Sequence, residues 1–227
     1  MFQAATIQFL RDLRENNNRD WFHSQAKRYN EVKKDYRKVA GEILEAMKPV
    51  DPTLASVEVK ECMFRIARDT RFSKDKTPYK THLSVVLPCL GKKAGMGHYY
   101  LHMEEGAAFI GGGYYLPEPA ALQKIRAEID AFGEDLVAIV NKPAFKKMYG
   151  ELDKDFVLVR PPKGYEASHP HIELLKLKSF TAVAPLSDDF FSKADMVQNT
   201  VAMFKVLKPL IDFLNRGLQA EEESWEL

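Results

Sequence analysis

Cationic side chains dense enough to hold an anion gather in one short stretch, Phe64 to Lys80. It carries six basic residues, Arg65, Arg68, Arg71, Lys74, Lys76 and Lys80, against two acids, Asp69 and Asp75. The stretch sums to +4 while the whole chain sums to +1, which leaves about −3 for everything else. Guanidinium forks match phosphate and carboxylate oxygens in pairs, and ammonium groups add point charge. The leading expectation is therefore a basic cleft for a small phosphorylated or carboxylated ligand. Arg65, Arg68, Arg71, Lys76 and Lys80 supply the field, and Tyr79 and His82 donate hydrogen bonds. His82 is the candidate catalytic residue, because an unperturbed imidazole titrates near neutrality. If a bond is broken there, transfer or hydrolysis at phosphate fits best, with arginines stabilising the developing charge.

Two other readings stay open for the same residues. The patch could engage a macromolecule without catalysis, single-stranded nucleic acid included, with Trp21, Tyr79, Tyr99 and Tyr114 as stacking surfaces. Alternatively, Asp69 and Asp75 pin the loop through charge-assisted hydrogen bonds, and the cluster is purely structural. The near-neutral total charge gives no global case for a nucleic-acid protein.

Gly111-Gly112-Gly113 is the second place to examine. Strand, glycines and helix start is the general layout of an anion cradle, so Gly112 and Gly113 are expected to let backbone approach the ligand. Neither common nucleotide fingerprint is met, and a kink at a sheet edge is the plainer alternative. His98 and His102 share a strand face but stand about 13 Å apart at the usual strand rise, too far for one ion. His102 with Glu104, and His169 with His171, are close pairs without a third ligand at recognisable spacing. No metal is expected, and the sequence leaves the identity of any cofactor unknown. The nucleophile-elbow pattern G-x-S-x-G is absent.

The elements that must position these residues follow from periodicity. Apolar residues at Ile7, Phe9, Leu10 and Leu13 suit a short helix from Gln3 to Glu15, and Asn18 can cap the next one. Phe22, Ala26, Tyr29, Val32, Tyr36, Val39, Ile43 and Met47 trace one long stripe, ended by Pro49 and Pro52. Cys62 to Ile66 alternates as a strand, Asp69 to Pro78 reads as a loop, and His82 to Leu87 as a strand ended by Pro88. His98 to Glu104 alternates, turns at Glu105-Gly106, and returns through Ala107 to Ile110. A helix carries Leu122, Ile125, Ile129 and Phe132, and a short one runs from Glu134 to Val140.

Ala144 to Tyr149 reads as a further turn. Phe156 to Val159 and Phe180 to Ala184 read as strands, with a short helix over Pro170 to Leu177 between them. Ser187 caps a helix entry. The stripe from Met196 to Leu214 is expected to kink at Pro209 and to stop at Gly217, before a frayed acidic tail over 221–227. Helices first, strands in the middle and a closing helix predict an α+β fold, with a central, mainly antiparallel sheet packed by N-terminal and C-terminal helices. No linker or repeat divides the 227 residues, so one globular domain over 1–227 is expected.

The run Arg68 to His82, RDTRFSKDKTPYKTH, resembles the hallmark of a family found mainly in bacteria, domain of unknown function 2461. Asn17 to Phe22, Gly111 to Gly113 with Tyr114, and Pro162-Lys163-Gly164-Tyr165 followed by His169-Pro170 fit the same family. Lys163 replaces the family's usual arginine, which keeps the charge and loses the fork. The resemblance spans nearly the whole chain. It implies a single-domain α/β protein and brings no assigned activity. No signal peptide or membrane-spanning stretch is visible, and the two cysteines, Cys62 and Cys89, lack metal or disulfide spacing. A cytoplasmic protein is expected.

Overall fold

The structure, a computed structural model, describes residues 1–219. The acidic tail over 221–227 lies outside the described residues. Among the described residues, seven α-helices and four strands make an α+β fold: α1 (Ala4–Glu15), α2 (Arg19–Ser24), α3 (Ala26–Met47), β1 (Leu83–Pro88), β2 (His98–Met103), β3 (Phe109–Tyr114), α4 (Pro119–Val140), α5 (Pro143–Tyr149), α6 (Ile172–Leu175), β4 (Phe180–Pro185) and α7 (Met196–Gln219). The strands form one antiparallel sheet in the order β1-β2-β3-β4. By internal packing the chain divides into two compact units. The first holds Met1–Lys93, Tyr100–Ile110 and Pro185–Met203, and the second holds Ala94–Tyr99, Gly111–Ala184 and, of the described residues, 204–219.

In the first unit the apolar stripe of α3 buries Val39, Ile43 and Met47, and α1 contributes Phe9 and Leu13 to the same core. Gln3 gives α1 no side-chain cap. The buried Asp35 of α3 does so instead, accepting from the Gln3 N–H at 2.9 Å and the Thr6 hydroxyl at 2.6 Å. Asn18 caps α2 as expected, accepting from the Trp21 N–H. The long stripe is broken at Gln25, whose φ of −95° and ψ of 15° separate α2 from α3. The strand expected over Cys62 to Ile66 does not form. Cys62 closes a 3-10 turn, Val59–Cys62, and only an isolated bridge from Met63 to Val85 follows. Ser187 begins another 3-10 turn, Asp188–Ser192, without a side-chain cap.

In the second unit, α4 packs with α5 and α6 around Ile125, Ile129, Leu136 and Phe145. The two helices expected between Pro119 and Val140 are one element with an internal kink at Phe132, where φ is −135° and ψ is 32°. The strand expected over Phe156 to Val159 is reduced to one bridge, Val157 to Leu177. Pro209 lies inside α7, and Gly217 continues the helix instead of ending it. Adding a Cβ at Gly217 would meet Glu128 at 2.7 Å, so the residue serves close packing.

The three glycines stand inside β3, not after it. A Cβ on Gly111 would lie 2.6 Å from the Ala182 carbonyl oxygen, and one on Gly113, at φ +122°, would lie 2.0 Å from that of Phe180. On Gly112 it would meet the His98 carbonyl oxygen at 2.8 Å and Leu207 at 3.2 Å. Their smallness admits neighbouring backbone. Gly113→Ala is expected to lower stability by about 3 kcal/mol or more in urea denaturation. Gly106→Ala, at a positive φ with nothing within 4 Å, is expected to cost only about 1 kcal/mol.

Candidate functional site

The basic segment is a loop whose ends are tied together. Lys80 N–H donates to the Ile66 carbonyl and Arg68 N–H to that of Pro78, each at 2.8 Å, and Ala67 bridges Tyr79. Tyr36 of α3 holds the loop base from the side. Its hydroxyl donates to the Ser84 carbonyl on β1 and accepts from the Phe64 N–H at 3.1 Å. Burial raises the Tyr36 pKa to about 12, so this hydroxyl keeps its proton. Asn17 grips the other end, accepting from the Tyr79 N–H at 3.1 Å and donating to its carbonyl at 2.9 Å.

Five of the six cations of the segment, Lys74 apart, fall with Lys92 into two sets. Arg71 makes a bidentate pair with Asp69 at 3.0 and 2.7 Å. Arg68 pairs with Asp75 and bonds Thr77, while Lys76 donates to the Thr70 carbonyl at 2.9 Å. The Asp75 carboxyl is drawn down to about 2, first by the Thr77 N–H and then by Arg68. These groups shape the loop. Tyr79 is buried with its ring stacked 3.9 Å from that of Phe22, so it packs and does not present a free phenol face. Tyr99 is fully buried too, which removes it as a stacking surface.

Arg65, Lys80 and Lys92 form the second set. Among the described residues none of them makes an ion pair. The Lys80 and Lys92 ammonium groups lie 5.2 and 4.8 Å from the centre of the Phe64 ring. Burial, then Arg65 and Lys92, lower the Lys80 pKa. Lys92 also donates to the Met63 carbonyl at 3.0 Å, and Arg65 feels the charge of Asp69.

Behind Phe64 runs a chain of polar groups. The Phe64 ring meets the Tyr100 ring edge-on at 6.2 Å. The Tyr100 hydroxyl donates to Ser84 Oγ at 2.8 Å, and Ser84 Oγ lies 3.1 Å from His102 Nδ1. His102 Nε2 lies 3.0 Å from Glu104 Oε2. A carboxylate only accepts, so Nε2 carries the proton and Nδ1 accepts from Ser84. Thr81 donates to the other Glu104 oxygen at 3.3 Å, and His82 Nδ1 stands 3.9 Å from Oε2. One donor atom each from His82, His102 and Glu104 lies within 4.8 Å of the others, so these three could hold a metal ion. Burial pulls the Glu104 carboxyl up, but the hydrogen bond from His102 and the two imidazoles outweigh it and leave it lowered.

All of these groups belong to the first unit. Arg65, Arg68, Lys80 and His82 come together: Lys80 and Arg68 both act on the His82 charge. Arg71 and Lys76 are held by the loop's own acceptors, and Gly112 and Gly113 belong to the second unit. Ser84, Tyr100, Lys92 and the meeting of His82 with His102 and Glu104 were not foreseen. The available signal was the shared face of Tyr100, His102 and Glu104 on one strand and of His82 and Ser84 on another.

Burial, reinforced by His102, lowers the His82 pKa from 6.5 to about 4. Between those values the unfolded chain binds the extra proton, so acidification favours unfolding. With a chelator present, stability is expected to fall by on the order of 2–3 kcal/mol through this group as pH drops from about 6.5 to 4. Urea melts across that range should be flatter for His82→Gln than for the unmutated protein; equal slopes would refute the assignment.

No curated protein and no solved structure shows significant similarity to the chain. Residues 5–213 match the family described as conserved hypothetical protein (DUF2461). The match covers the basic loop, the whole sheet and the His82–His102–Glu104 cluster, and the chain belongs to that family.

Proposed function

We propose that the first unit binds a small phosphorylated or carboxylated ligand at Arg65, Lys80 and Lys92, beside the Tyr100–Ser84–His102–Glu104 chain. The observation that carries this reading is the Lys80 ammonium. It is partly withdrawn from water beside two like charges and has no carboxylate partner among the described residues, a penalty that a bound anion relieves. Arg68 completes the rim with whatever hydrogen-bonding capacity Asp75 leaves it. A ligand there reaches groups able to take or give a proton, which suits transfer or hydrolysis at phosphate. A cytoplasmic setting belongs to this reading and is supported by the two buried thiols, Cys62 and Cys89.

Calorimetry and thermal shift at low salt with inorganic phosphate, pyrophosphate and citrate test the proposal. At least one should bind and raise the melting temperature. Lys80→Met and Arg65→Gln should each weaken it by roughly tenfold, the loss of a charge-assisted contact. Arg71→Gln should change little. Undiminished binding in Lys80→Met, or a loss confined to Arg71→Gln, would overturn it.

One observation favours a second reading. Phe72 is 95% exposed, with the Arg71 guanidinium 5.8 Å from its ring centre. An exposed ring beside cations suits stacking on a base of single-stranded nucleic acid. In that case Phe72→Ala should weaken binding of a labelled oligothymidine by about 1–3 kcal/mol, while leaving phosphate binding intact. Equal oligonucleotide binding in the two proteins removes this reading.

A further inference from the structure

We propose that His82, His102 and Glu104 form a binding site for one divalent transition-metal ion of the zinc and ferrous-iron class. The assignment rests on donor geometry and stands apart from the anion reading.

Two imidazoles converge on one carboxylate oxygen. His102 Nε2 is 3.0 Å from Glu104 Oε2, and His82 Nδ1 faces the same oxygen from 3.9 Å. The second distance is too long for a hydrogen bond. Among the described residues the His82 ring makes no hydrogen bond at all, although its plane lies 4.4 Å from that of His102, centre to centre. Hydrogen bonding thus accounts for the orientation of His102, while His82 is directed at the same oxygen with only ring packing and charge to hold it. Ligands about 2.0–2.2 Å from one ion stand roughly 3–3.5 Å from each other. The three donor atoms lie within 4.8 Å of one another, and a shift of about 1–1.5 Å by His82, just ahead of β1, meets that spacing.

The groups behind the donors are those a metal site needs. Metal on His102 Nε2 moves the ring proton to Nδ1, where Ser84 Oγ and the Tyr100 hydroxyl stand at 3.1 and 3.3 Å and both can accept it. Thr81 holds the Glu104 oxygen that faces away from His102. Phe109 stacks on the His102 ring at 4.8 Å and fixes its plane. The His82 and Glu104 side chains are 27% and 29% exposed, so solvent reaches the ion and coordination positions stay open. Two imidazoles with one carboxylate, and no thiolate, suit zinc, ferrous iron or manganese more than magnesium or calcium.

The test uses full-length protein, stripped with a chelator and dialysed into phosphate-free buffer. Zn²⁺ is titrated by calorimetry and Co²⁺ by visible absorption. One ion per chain is expected, with cobalt ligand-field bands. His82→Gln and Glu104→Gln should bind at least 100-fold more weakly, and Ser84→Ala roughly tenfold more weakly through the His102 ring. His82 is only part-buried, so its variant should keep the circular dichroism spectrum of the parent, which separates lost ligation from lost folding. His169→Gln, at the other histidine pair, should bind like the parent. Absence of stoichiometric binding, equal affinity in His82→Gln and Glu104→Gln, or a loss confined to His169→Gln would overturn the site.

Discussion

The Tyr36 hydroxyl is the interaction on which the site depends. One oxygen on α3 donates to the carbonyl of Ser84 and accepts from the amide of Phe64. No regular ladder meets the two backbone groups at that point, because the segment after Cys62 touches the sheet through the isolated Met63–Val85 bridge and forms no strand. The result is a fixed distance between the base of the cationic loop and the strand that carries Ser84. Moving this oxygen would displace Phe64, and with it the two lysines that rest against its ring.

A loop with six cations in seventeen residues must dispose of its own repulsion before it can attract anything else. Here the two tasks fall to different residues. The outer part, Arg68 to Thr77, pairs two of its four cations with Asp75 and Asp69 and rests Lys76 on a backbone carbonyl. The inner part, Arg65 and Lys80 with Lys92, keeps its excess without an ion pair among the described residues, next to the His82 imidazole, whose pKa burial lowers. Positive charge and proton-accepting nitrogen therefore coexist within a few residues, an arrangement that water-exposed side chains would not maintain.

The sequence made the architecture legible where periodicity was long. The stripe from Ala26 to Met47, the alternation of β2 and the cap at Asn18 appear as read, because each is a local pattern with a local cause. Local reading failed where tertiary contact decides. Cys62 to Ile66 alternates, yet Tyr36 satisfies the Phe64 amide, and no strand forms. Gly111 to Gly113 read as following the strand, as an anion cradle or as a kink where backbones pack close; they stand inside the strand, and the closeness of the Phe180 and Ala182 carbonyls agrees with the second reading. The site was half legible. Arg65, Lys80 and His82 stood out by type, and His102 with Glu104 by alternation. That His82 faces them depends on sheet register, which no spacing within a single segment encodes.

Each compact unit is assembled from stretches distant along the chain, and β2 and β3 lend residues to both. During synthesis from the N-terminus, α3 and the cationic loop leave the ribosome well before His102 and Glu104, and the closing stretch Pro185–Met203 emerges later still. The first unit is therefore a late-maturing body, whose non-local contacts carry a loop-closure cost before they stabilise anything. Until then its apolar helix faces and like-charged lysines stand uncovered, the period in which a nascent chain is most open to chaperones and proteases.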